Sequence, residues 1–127
     1  MNCSFKVPFT NGKNKHDVIF TDLEVSKLFT LSNMLSVIGK PDTTNPLPID
    51  IEVLPESVEL IKQIFAENSY ESNIIKHIIY SFLEGKEHTN KLNTMYSLLI
   101  FIDFMDIDSR LEDIIYSVSS EYLITTS

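Results

Sequence analysis

Alternation of apolar and polar residues, the signature of a half-buried strand, occurs in this chain only before residue 54, and beyond Pro55 the apolar residues recur at helical spacing. Phe5, Val7 and Phe9 alternate with Lys6 and Pro8, and Val18, Ile19 and Phe20 open a second strand. Between them Asn11-Gly12 tolerates positive φ, so the opening predicts a hairpin closed by an irregular loop, NGKNKH. Ile49, Ile51 and Val53 alternate with Asp50 and Glu52, a third strand with its acidic face toward water. Strands gathered at the front with helices behind them exclude an alternating βαβ chain. They predict an α+β fold with a small three-stranded sheet and about five or six helices.

The helices follow from spacing and from their stops. Leu28, Leu31, Met34, Leu35 and Ile38 fall on one side of a helix that Gly39 ends, and a polar loop, KPDTTNPLP, follows. Pro55 opens a helix carrying Val58, Leu60, Ile61, Ile64 and Phe65, and the next carries Ile74, Ile75, Ile78, Ile79 and Phe82. Gly85 breaks that helix, and EGKEHTNK reads as a loop. A further helix spans about Leu92 to Phe104, and the last spans about Ser109 to Leu123 with Leu111, Ile114, Ile115, Val118 and Tyr122 on one face. With 127 residues and no internal repeat, the chain reads as one domain, 1–127.

Charge narrows the partners. Ten Lys and Arg against eighteen Asp and Glu leave a net charge of −8, which repels phosphate, so neither nucleic acid nor an anionic membrane is an expected partner. The longest apolar run, Leu98 to Ile102, is too short to span a bilayer. A single cysteine, Cys3, excludes an internal disulfide, and the opening residues lack the apolar core of a signal peptide. An intracellular protein, cytoplasmic or nuclear, is the expectation. One alanine among abundant isoleucine and asparagine suits an A/T-rich coding sequence, such as that of a large DNA virus or a protist.

The stretch SLLIFIDFMDID sets Asp103 inside an apolar run, with Asp106 and Asp108 close behind. Asp106 and Asp108 start a D-x-D calcium pattern that then fails, because Leu111 stands where the loop glycine belongs and Ser117 where the bidentate glutamate belongs. His16, His77 and His88 are scattered and none has a second ligand at zinc spacing. No serine lies in a G-x-S-x-G elbow, and isolated glycines at 12, 39 and 85 cannot cradle a phosphate. The residues therefore point to no metal, no cofactor and no catalytic group. On a helix whose core face is Met95, Leu98, Leu99 and Ile102, Asp103 falls at the border, where its carboxylate reaches water.

Three stretches, in order, carry a resemblance. LFTLSNMLSVIG resembles the segment of elongin C and of the S-phase kinase-associated adaptor (Skp) family in which a Thr-Ile-Lys-x-Met-Leu core precedes a glycine. IDIEVLPESVE is similar to the elongin C strand that runs into Pro-Ser-x-Val. TMYSLLIFIDFMDIDSRLEDI resembles the helix pair of these families, with the joint at Asp103-Phe104-Met105-Asp106-Ile107. The resemblance is to the BTB/POZ superfamily, closest to its Skp and elongin C branch. It implies a BTB/POZ-like fold and a non-enzymatic adaptor that joins a substrate receptor to a cullin ubiquitin ligase, with Asp103 and Phe104 at the cullin-facing positions. Phe101 and Ile102 stand where the families carry small residues, and Asp103 replaces an asparagine. The last helix would offer Ile107, Leu111, Ile115 and Val118 to a partner.

Two other readings compete. The middle of the chain, IIKHIIYSFLEGKEH, resembles ordinary BTB domains, which implies a self-associating module and a homodimer. From another class, Asp103 and Asp106 could act as an acid–base pair in a small acidic enzyme. A viral source would make either module a mimic that redirects a host ligase.

Overall fold

The computed structural model describes residues 1–10, 13–39 and 45–126, and the side chains of residues 125 and 126 lie outside that description. The Asn11-Gly12 turn and the first half of the KPDTTNPLP loop also fall outside the described residues. Strand β1 (Asn2–Lys6) pairs antiparallel with β2 (Lys15–Ile19), and β3 (Leu47–Glu52) lies parallel to β1 on its other side. The sheet order is thus β2-β1-β3. Helices α1 (Asp22–Ser26) and α2 (Phe29–Ile38) occupy the connection from β2 to β3. Helices α3 (Pro55–Phe65), α4 (Ser72–Leu83), α5 (His88–Met105) and α6 (Ser109–Thr126) follow in succession. The fold is α+β, with a three-stranded mixed sheet and six helices among the described residues.

Strand β1 stops before Phe9, because Pro8 and Phe9 form a turn in which Phe9 takes φ 68°. The apolar alternation therefore ran three residues past the pairing. Residues 21–39 fold as two helices with a break at Lys27-Leu28. Thr21 caps the first of them in a capping box: its hydroxyl accepts from the Glu24 N–H, and the Glu24 carboxylate accepts from the Thr21 N–H at 2.8 Å. Helix α5 begins at His88, inside the stretch that reads as a loop, since nothing in HTNK forbids a first turn.

The core forms where the sheet meets α5. The rings of Phe5, Phe20 and Phe101, all at most 1% exposed, touch one another, with Phe101 centred 5.9 Å from Phe5 and 6.4 Å from Phe20. His16 of β2 stacks on Phe5 and its Nε2 lies 2.7 Å from the Val53 carbonyl, so that nitrogen carries the proton and donates. Helix α3 packs closely on α5 because small hydroxyl residues line the contact. The Ser57 hydroxyl donates to the Thr94 carbonyl, and the Ser97 hydroxyl accepts the Leu54 N–H, each at 2.7 Å. Cys3 is fully buried in β1, and burial pushes its thiol up to about 11, which leaves it a core residue without nucleophilic character.

Candidate interaction surface

Every helix begins with N–H groups and ends with C=O groups that have no partner inside the helix. At the α5–α6 joint the two kinds meet. Phe29 at the start of α2 donates its N–H to the Asp106 carbonyl at 2.9 Å, and the Thr30 hydroxyl donates to the Phe104 carbonyl at 2.8 Å. The positive end of α2 thereby faces the negative end of α5, which suits both macrodipoles. Asp106 terminates α5 with φ 55°, a positive φ uncommon outside glycine and more accessible to aspartate and asparagine than to other residues. Asp108 then starts α6, its carboxylate accepting the N–H of Arg110 at 2.9 Å.

The joint residues divide by environment. Asp103 and Asp106 are exposed and Phe104 is half-buried, so the edge position read for Asp103 matches its place in the structure. Burial raises the affinity of the Tyr116 hydroxyl for its proton, and the nearby Asp103 and Glu112 charges raise it further. Among the described residues neither Asp103 nor Asp106 takes part in a salt bridge. The rim of the joint is an acidic surface open to a basic group.

Met105, Ile107, Leu111, Ile115 and Val118 lie elsewhere. Each is at most 2% exposed, spent on the core where α6 packs against α4 and α5. The face of α6 expected to await a partner is covered by its own chain. A helix at the end of a sequence reads as unpartnered only if earlier elements cannot reach it, and α4 does.

Sequence reasoning missed the outward side of α2. Of the stripe read as core, Leu28 and Leu31 are buried, Met34 and Leu35 are partly buried against the core, and Ile38 is 57% exposed; Val37, off that stripe, is 84% exposed. With Thr30, Asn33 and Met34, Val37 and Ile38 line a shallow hollow of about 450 Å³ beside the joint. One signal was available: no charged residue occurs from Leu28 to Gly39, so charge does not mark the side away from the stripe as solvent-facing.

Among the described residues no three His, Cys, Asp or Glu side chains converge on a point that could hold a metal ion. No helix among them is long and apolar enough to cross a membrane. No protein-family model, no curated protein and no solved structure matches the chain.

Proposed function

We propose that this chain is a protein-interaction adaptor of the BTB/POZ type, in the manner of the Skp and elongin C branch, that docks a cullin-like partner at the α5–α6 joint and carries no catalytic site. The observation that carries the reading is the hydrogen-bonded union of α2 with that joint through Phe29 and Thr30. Two of the three stretches behind the resemblance thereby form one continuous surface, with an acidic rim at Asp103 and Asp106 and an apolar floor at Phe104 and α2. Apolar contact at the centre with charge at the edge is the ordinary anatomy of a protein interface. Direct titration with purified cullin N-terminal domains tests it, comparing wild type with an Asp103→Arg, Phe104→Ala double variant. Binding that falls at least about tenfold in the variant, with an unchanged circular dichroism spectrum, supports the assignment. Failure of every cullin domain to bind removes the ligase version.

The charge-free outward side of α2 favours a second reading, a self-associating module independent of cullins. Two copies can meet there through apolar contact at α2. Light scattering that shows a dimer in the wild type and a monomer in Val37→Asp would select it, and a monomeric wild type at high concentration would dismiss it.

A further inference from the structure

We propose that the cleft beneath Phe9 is a second docking site, one that takes a short extended peptide segment of a partner protein. Phe9 occupies the turn from Val7 to Thr10, which is tied by the Thr10 hydroxyl donating to the Val7 carbonyl at 2.7 Å. Its φ of 68° follows a proline, a position where glycine or asparagine is the usual choice. A bulky L-residue is strained there, and burial does not offset the strain, because the ring is 76% exposed. Strained backbone and an apolar ring in water coincide at one residue, and covering the ring would give the second feature a purpose.

Phe9 lines a cleft of about 260 Å³ assembled from four parts of the fold. Leu54 and Glu56 come from the start of α3, Lys86 from the α4–α5 turn, and Asn90 and Asn93 from α5. The volume lies below the ~300–1,000 Å³ usual for cofactor and drug-sized sites, so the cleft encloses one side chain and the backbone next to it, not a larger ligand. Glu56 and Lys86 are opposite in sign, which selects neither a simple anion nor a simple cation. Asn90 and Asn93 stand one helical turn apart, and each amide presents a donor and an acceptor, the complement of a peptide group. Among the described residues no hydrogen bond or salt bridge engages the side chains of Glu56, Asn90 or Asn93. A neutral peptide backbone can bond both asparagines while one apolar side chain lies between Leu54 and Phe9, with Glu56 and Lys86 at opposite charge beside it.

The site stands independently of the joint. Asn90 and Asp103 lie thirteen positions apart on α5, a rise of roughly 20 Å, so one partner need not displace another.

The test selects binders from a random-peptide phage library on the immobilised full chain and measures them by fluorescence anisotropy. The expected result is at least about tenfold weaker binding to Phe9→Gly and to an Asn90→Ala, Asn93→Ala double variant. Phe9→Gly should melt no lower than wild type, because glycine accepts the positive φ. Binding to Asp103→Arg, Phe104→Ala should stay unchanged. The proposal is overturned if no peptide is selected, if the cleft variants bind as wild type does, if the joint variant abolishes binding, or if Phe9→Gly lowers the melting temperature.

Discussion

Replacing Phe101 with alanine tests the core where the sheet meets α5. The ring is fully buried and contacts Phe5 at 5.9 Å and Phe20 at 6.4 Å between centroids, so truncation leaves a hole bounded by two aromatic rings. Returning a phenyl group to water costs about 2–3 kcal/mol. Incomplete collapse of the remaining cavity brings the total to about 4 kcal/mol, within the ~3–5 range for buried Phe→Ala changes. A domain of this length has roughly 6–19 kcal/mol in all, so the variant should still fold. With a urea slope of roughly 2 kcal/mol/M, the midpoint should fall by about 2 M in far-ultraviolet circular dichroism. Phe101→Leu, which keeps most of the volume and loses the ring contacts, should cost only about 1–1.5 kcal/mol. A loss below about 1 kcal/mol for Phe101→Ala would refute the argument, because a ring at the centre of the core cannot be removed that cheaply.

Leu111→Ala should lower stability by about 2–5 kcal/mol in the same urea assay, since the side chain is fully buried between α6 and its neighbours; a near-zero loss would return that face to the surface. Thr30→Val should cost about 1 kcal/mol in thermal unfolding, because the Phe104 carbonyl loses its hydroxyl donor. Glu24 gives a pH dependence. Burial alone would raise its proton affinity, but the Thr21 N–H and the Lys62 ammonium outweigh that and hold the carboxyl below its ordinary value. The folded state therefore binds this proton less tightly than the unfolded one. The stabilisation is complete above the usual glutamate range, about pH 4.3, and is lost as pH falls through the lower folded value. Glu24→Gln should flatten that part of the acid-unfolding curve, and an unchanged curve would show that the Glu24 charge contributes nothing to stability. Gly85, at φ 83° behind α4, should lose about 1 kcal/mol on replacement by alanine, read as a lower melting temperature, although open space surrounds it.

Much of the fold was legible because local rules agree with the tertiary result. Pro55 lies at the first turn of α3, Gly85 follows the end of α4, and Leu111, Ile115 and Val118 share the buried face of α6. Errors arose where two rules competed. Phe9 continued an alternating pattern, yet a proline one residue earlier turned the chain. His88 opens α5 within a stretch that reads as loop, because polar residues at a helix start look like a linker.

What the sequence alone determined is the segregation of strand from helix and the boundary position of Asp103, since both depend on spacing along a single element. Only the tertiary structure decided which apolar faces are free. The faces of α2 and α6 are similar in residue type. That of α6 is covered because α4 and α5 lie against it, and Val37 and Ile38 of α2 remain in water. The joint is likewise a tertiary construction: Thr30 and Phe104 are 74 positions apart, and they meet because the unpaired donors of one helix end require the unpaired acceptors of another.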